Sequence, residues 1–450
     1  MQMSAAIPIY DPALKGESDL EQRSWIPLVS VFLLVFIISY VDRQILSLVV
    51  QPVKTSLRIS DFQIGLLQGF AFSIVLAVAS MVTAPLVDRN NRVRVLATCM
   101  LVWCVMTILC GFATSFLMLL VARTGLAIAE AVVPVAVLSI ICDIAPRRSV
   151  PRASALVMAA PYFGSGFALL AGGPILAMLA PFEGRPMPIA GTFEAWRGLF
   201  FMLGIPGILV ALLIFAFVRE PRRRAMSPVD DKSDKLWPFL REHAGFLAPM
   251  FLANSMFTLI SYTAYAWTPT FMIRAHGLSA SHVGVTVGPT FVIAGVSGCL
   301  FGSWIMGRSN PRLLLSHVVR TIAWVLLCLS VPLILFPAAP SEGTALALLA
   351  AAFFLLAAGL SSVMTPVSLF APARLRGRVM AAAVLTQAAI AGCGPLIVGA
   401  INDFVFEAPD KIGYSLMIVY ALACAIGLIA IPRVVRMARA FDDGRAEAVA

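Results

Sequence analysis

The chain has 450 residues, 60% of them hydrophobic and only 12% charged, with a net charge of +10. Soluble domains are nearer half apolar and a quarter charged, so this composition excludes an ordinary water-soluble fold. The basic residues are spread over alternate short segments rather than gathered on one face, which argues against nucleic acid as a partner.

A helix needs roughly 20 apolar residues to cross about 30 Å of hydrocarbon. About twelve such runs follow one another, near 25–51, 62–86, 93–114, 116–140, 153–180, 198–218, 246–272, 281–306, 313–336, 344–370, 378–402 and 412–432. They predict an all-α, multi-pass membrane protein. The first 24 residues are polar and lack the basic segment and small-residue cleavage site of a signal peptide, so they are read as a disordered cytoplasmic tail.

Run one carries Asp42 and Arg43 side by side. Ionised groups near a bilayer centre cost a few kcal/mol each on insertion scales, about 2.5–3.5 for Arg or Asp, and usually face a wet cavity and do chemistry. After run two comes APLVDRNNRVRVL at 84–96, with Asp88, Arg89 and Arg92. Run four is interrupted by Arg123 and Glu130. Seven residues is two helical turns, which puts that pair on one face about 10 Å apart. Arg123 is expected near mid-depth and Glu130 nearer the cytoplasm. Runs one and four then form a ladder of alternating charge. A carboxylate that exchanges an arginine partner for solvent can change protonation in a cycle, which is what proton coupling requires. The plainer reading makes Asp42–Arg43 and Arg123–Glu130 fixed structural ion pairs. Both guanidinium groups can also hold a phosphate or carboxylate bidentately.

Run five contains PYFGSGFALLAGGP at 161–174, whose Gly164, Gly166, Gly172 and Gly173 allow close helix contact. The longest polar stretch between runs, at 219–243, divides the chain into halves of about six runs each, and its KLWPFLREHAGF segment predicts a short surface helix. Run seven adds a polar and aromatic stripe that includes Tyr262, Tyr265 and Trp267, candidates for substrate contact beside a plain packing role. Runs seven to twelve contain no central acid, and their only internal charge is Arg320. A charged half and an apolar half suit an amphiphile with an anionic head.

Arginines are dense in the segments after runs two, four, six, ten and twelve, and sparse in the others. By the positive-inside rule the rich segments and both termini are cytoplasmic, which predicts a cell inner membrane protein. The eight cysteines form no CxxC pair and the four histidines do not cluster, so no metal or cofactor is expected. None of the five lysines follows a GxxxxG loop, so no ATP-binding motif is present. A hydrolase nucleophile at Ser165 would need a base in reach, and no histidine lies mid-run.

The motifs at 84–96, at Arg123 and Gly125, and at 161–174 resemble, in order and spacing, the signatures of the major facilitator superfamily. Leu86, Asp88, Arg89, Arg92 and Leu96 match the first signature, while Ala84 and Asn91 replace its glycines. Within it the chain is similar to the Spinster-like branch of lysolipid and sphingosine-phosphate transporters, through YVDRQILS at 40–47, RTGLAIAEA at 123–131, DIAPRRSVPRASAL at 143–156, GSGFALLAGG at 164–173, WTPTFMIRAHGLS at 267–279 and GPLIVGAINDFVF at 394–406. Organic anion:proton symporters share the Asp-Arg and Arg…Glu pairs, so the first half alone does not separate the two.

The resemblance implies twelve transmembrane helices in two pseudo-symmetric six-helix bundles: a tail at 1–24, bundles at 25–218 and 246–434, a cytoplasmic linker at 219–245 and a tail at 435–450. It implies a monomeric, proton-coupled secondary transporter working by alternating access among membrane lipids, with amphiphilic anions as substrates. Organic anion:proton symport and drug:proton antiport are the alternatives. Asp42 and Glu130 are the expected proton carriers, and Arg43, Arg123, Tyr262, Tyr265 and Trp267 the substrate contacts. Asp88, Arg89 and Arg92 are expected to latch the halves in the outward-open state; in the second copy Met306 or Gly307 stands near the acid's place.

Overall fold

Twelve helices among the described residues are long and apolar enough to cross a membrane. The computed structural model describes residues 13–146, 149–187, 189, 191–223, 236–308, 314–372 and 374–447. Spans 1 to 6 are Trp25–Leu48, Asp61–Arg89, Arg92–Gly111, Phe116–Ile144, Arg152–Phe182 and Ala195–Phe217. Spans 7 to 12 are Ala244–His276, Ala280–Gly307, Leu315–Ala338, Glu342–Phe370, Arg376–Phe406 and Pro409–Asp443. The two sets form two six-helix bundles. Twelve crossings put residues 13–24, the described residues of the linker and the end of the last helix on one face, called here the linker side; the opposite face is the far side.

Short polar residues set where the far-side spans begin. The Ser60 hydroxyl accepts from the Gln63 N–H, and the Gln63 side chain accepts from the Ser60 N–H, a reciprocal cap on span 2. Ser115, Ser279 and Ser341 cap spans 4, 8 and 10 in the same way through their hydroxyls. Spans 2 and 11 each contain a π-helical turn, at Leu66–Phe70 and Asn402–Phe406. Such turns are rare and often mark functional sites.

Span 1 continues a helix that begins at Ala13, so residues 13–24 are helical, not the irregular tail expected from their polarity. Leu, Lys, Glu and Gln there are good helix formers. Residues 1–12 lie outside the described residues. Span 12 likewise belongs to a helix reaching Glu447, where Asp442 accepts from the Ser316 N–H at the start of span 9. The surface helix expected in the linker is present at Leu236–Glu242, while 224–235 lie outside the described residues. A short hairpin between spans 5 and 6, Pro186–Met187 paired with Gly191–Thr192, had no sequence forerunner.

The bundles meet on the far side. Spans 5 and 8 approach until a Cβ on Gly166 or Gly288 would overlap the partner's backbone, and Gly173 faces Ser281 just as closely. This matches the close-packing role expected for the glycines of span 5. Spans 2 and 11 form a second seam, with Gly65 and Gly69 against Pro395 and Gly392. Spans 1 and 7 are joined by hydrogen bonds: Gln44 Nε2 donates to the Tyr265 carbonyl at 2.8 Å, and Thr270 Oγ1 to the Ser47 carbonyl at 3.2 Å. Between described residues, every hydrogen bond and ion pair that crosses the bundles lies at these central and far-side levels. On the linker side Asp88, Arg89, Arg376 and Gly377 are exposed, and nothing stands within 4 Å of a Cβ on Gly377. The molecule is therefore closed at the far side.

Candidate functional site

The four charges of spans 1 and 4 come together in the first bundle. Arg43 Nε donates to Glu130 Oε2 at 2.6 Å, with the Arg43 side chain 19% exposed and Glu130 fully buried. The pair crosses between the two spans; it is neither the Asp42–Arg43 nor the Arg123–Glu130 pairing that same-helix spacing suggested. Helix docking decides this, because Arg43 and Asp42 are neighbours in sequence and so point to different sides of span 1. Arg123 is buried and donates through Nη1 to the Asp42 backbone carbonyl at 3.1 Å. Asp42 is buried, its Oδ1 has no hydrogen-bond partner, and it makes no ion pair among the described residues. Glu130 Oε1 and Arg123 Nε are also buried without a partner.

Glu130 stands at the midpoint of span 4, with Arg123 nearer the far side. This corrects the expected depths, since the span runs on to Ile144, beyond the expected end at 140. Aromatic rings frame the cluster. The Arg43 guanidinium lies 4.8 Å from the Tyr40 ring centroid and 5.2 Å from that of Phe72, and Arg123 lies 5.4 Å from Phe72. Such stacking favours a cation by about 0.5–2 kcal/mol. Tyr262 of span 7 is partly buried. Tyr265 meets Phe291 and Phe353 edge-on at 5.1 and 5.3 Å, and its hydroxyl has no partner. Trp267 departs from the expectation. It is fully buried and its Nε1 donates to the Pro395 carbonyl at 3.0 Å, so it packs span 7 on span 11 and presents no face to a substrate. Tyr40 and Phe72 had no assigned role in the sequence; an aromatic within one turn of the Asp-Arg pair was the available signal for Tyr40 only.

The expected latch residues separate in the same way. Asp88 and Arg89 are exposed at the linker-side end of span 2, where Asp88 makes no ion pair among the described residues. Arg223 of the linker caps that end, donating to the carbonyls of Val87, Asp88 and Asn90. Arg92 is buried and does not reach the second bundle. It holds Asp143 at 2.5 Å, Glu220 at 2.7 Å and Ser139 at 3.0 Å, bracing spans 3, 4 and 6 within the first bundle. Its place in a motif of exposed arginines hid that burial. Arg92→Ala removes the buried guanidinium that joins Asp143 and Glu220, and losing hydrogen bonds to charged groups costs about 1.5–3 kcal/mol. The expected outcome is a clear drop in the detergent melting temperature, read by thermal unfolding, with Arg92→Lys in between.

The profile of the Major Facilitator Superfamily matches residues 32–395, and the chain belongs to that family of membrane transporters. An MFS-type efflux pump of Mycolicibacterium smegmatis (strain ATCC 700084 / mc(2)155) is 28% identical over 426 residues, covering 91% of this chain and 92% of that protein. Among solved structures, a bacterial homologue of the human lysosomal transporter Spinster, inward-facing and unoccupied, superposes with a TM-score of 0.71 at 25% identity, covering 94% of this chain and 96% of the other. The same homologue in its inward-facing, occupied form gives 0.69 at 25% identity, covering 95% and 97%. A D-xylose-proton symporter at 15% identity gives 0.67, covering 90% and 96%, a likeness of fold alone. The Spinster-like resemblance thus holds in both sequence and shape.

Proposed function

We propose that the chain is a proton-coupled secondary transporter of amphiphilic anions, working by alternating access in a cell inner membrane with the linker side cytoplasmic. Arg43 carries the reading. It is the only partly exposed member of a buried charge cluster, and Glu130 occupies only its Nε. Its two η nitrogens make no hydrogen bond among the described residues, so one edge of the fork is free for a phosphate or carboxylate. An anion docked there competes with Glu130 for the same cation. A carboxylate that loses its counter-cation in a dry site is stable only as the neutral acid, so Glu130 takes a proton as the anion binds. Asp42, buried and in no ion pair among the described residues, is the neighbouring proton holder. Arg123 keeps its charge beside the span 1 backbone and orients that turn. The second bundle offers Tyr262 and Tyr265 but no acid at its centre, which suits the apolar part of the substrate.

Liposome uptake of lysolipids and sphingoid phosphates under an imposed proton gradient tests the reading. Saturable, gradient-dependent uptake supports it; transport of a small sugar acid with no amphiphile uptake favours the organic anion symporter reading instead. The M. smegmatis efflux pump favours a second reading, export, with drug:proton antiport as its candidate form. There the acids would hold a cationic drug, and Arg43→Ala would leave drug transport intact.

Arg43→Lys is expected to weaken anion binding about tenfold, because an ammonium cannot reproduce the bidentate fork; a binding isotherm reads this directly. Asp88→Asn is expected to shift the population further toward inward-open forms, since Asp88 serves to close the linker side in the opposite state. Spin labels at Arg94 and Gly377 measure the change as a longer distance.

A further inference from the structure

The linker-side end of span 12 carries three arginines that the transport site does not use. Arg433, Arg436 and Arg439 are exposed. Unlike Arg92 and Arg223, they make no hydrogen bond or ion pair among the described residues. Steps of three residues set them side by side on a helix. That helix turns Val434, Ala438 and Asp442 inward, so the arginines share its outer face. Further along the same face stand Leu422, Ile426 and Ile429, 56%, 40% and 78% exposed. Leu422, Ile429 and Arg436 follow one another at two-turn steps, as do Ile426 and Arg433, so both apolar lines end in an arginine. Leu422 to Arg436 spans about 21 Å at 1.5 Å per residue, against about 15 Å for half the hydrocarbon thickness. The face is therefore apolar through one leaflet and cationic at its head-group level.

Span 9 adds a fourth cation. Arg320, the charge that interrupts the apolar runs of the second half, is half-buried. Its Nε donates to the Ser316 carbonyl at 3.3 Å, which draws the guanidinium back toward the linker side. The N–H of the same Ser316 donates to Asp442 at 2.8 Å. Arg439 lies one turn before Asp442, so Arg320 and Arg439 converge on one junction from two helices. Among the described residues four arginines stand here against two acids, Asp442 and Asp443, and the patch is net cationic. We propose that this face binds one anionic phospholipid of the linker-side leaflet, its phosphodiester between Arg320, Arg436 and Arg439 and an acyl chain along Ile429 and Leu422. A guanidinium takes a phosphate bidentately. The apolar lines select a lipid over a free phosphate. The site lies on the outside of the second bundle, apart from the Arg43 cluster, and does not rest on the transport reading.

Native mass spectrometry of the full chain, released from detergent with dioleoyl phosphatidylglycerol or dioleoyl phosphatidylcholine, tests this. The parent should keep one phosphatidylglycerol in clear preference to phosphatidylcholine. Arg436→Gln with Arg439→Gln should cut phosphatidylglycerol binding about twentyfold, since each basic residue at an anionic lipid surface is worth about fivefold. Phosphatidylcholine binding should not change. Arg320→Gln should also weaken phosphatidylglycerol binding; if that variant fails to fold, the exposed pair carries the test alone. Arg94→Gln, an equal loss of charge elsewhere on the linker side, should bind as the parent does. So should Arg43→Ala, which removes the anion-binding fork of the transport site. Glycerol phosphate at the same concentration should displace nothing. Equal binding of the two lipids by the parent overturns the proposal, as does full retention in the double variant. An equal loss in Arg94→Gln or Arg43→Ala overturns it too, and so does displacement by glycerol phosphate, which marks a site for free phosphates instead.

Discussion

Glu130→Gln abolishes gradient-driven accumulation of substrate while leaving exchange of substrate across the membrane intact. Glutamine keeps the size of the side chain and can still accept from Arg43 at the position of Oε2, so the fold and the docking of spans 1 and 4 survive. It cannot take up a proton. It also holds Arg43 less firmly than a carboxylate does, so anion binding tightens. Hydrogen bonds to charged groups contribute about 1.5–3 kcal/mol, and about 2.7 kcal/mol is a hundredfold in rate. The expected loss in proton-driven uptake is about a hundredfold, with counterflow between loaded and unloaded liposomes as the control. Failure of both assays, together with loss of the folded monodisperse protein, would return the Arg43–Glu130 pair to a purely structural role.

Gly69→Val prevents closure of the far side. Gly69 faces the Gly392 carbonyl across the seam so closely that even one added carbon overlaps it, and the Pro395 ring lies beside it at 3.0 Å from that carbon. The obstacle is backbone and a rigid ring, not the flexible end of a side chain, so the neighbour cannot swing away. In the far-side-open form the two helices stand apart and valine is harmless. The variant therefore folds but rests outward-open, and transport falls to background. Accessibility of a cysteine at Gln44 to a charged thiol reagent added from the far side reads the state, with strong labelling in Gly69→Val and weak labelling in the parent. Equal labelling would show that the seam yields.

Much of the architecture was legible because lipid imposes a simple rule. Runs long enough to span declared themselves as helices. The charged centre was legible for the same reason, since Asp42, Arg43, Arg123 and Glu130 stand out against apolar neighbours. Their pairing was not. Sequence spacing brings together residues on one helix, whereas Arg43 meets Glu130 through the docking of span 1 on span 4. Arg92 looked like one more loop arginine until spans 4 and 6 delivered Asp143 and Glu220 to it. Trp267 belonged to an aromatic stripe, but its indole N–H is spent on span 11. Asp61 and Arg274 were hardest to find, because a charge at a span end is ordinary and only the meeting of the bundles pairs them.

Proton uptake on ligand binding is the measurement closest to the central claim that an anion on Arg43 releases Glu130 to a proton. The purified protein in weakly buffered detergent solution, with a pH indicator present, is titrated with a lysolipid or sphingoid phosphate. Binding should take up about one proton per anion bound, the signature of a site whose proton occupancy changes with ligation. Glu130→Gln should bind the same anion with no such uptake. Saturable binding that moves no proton in the parent protein would contradict the account.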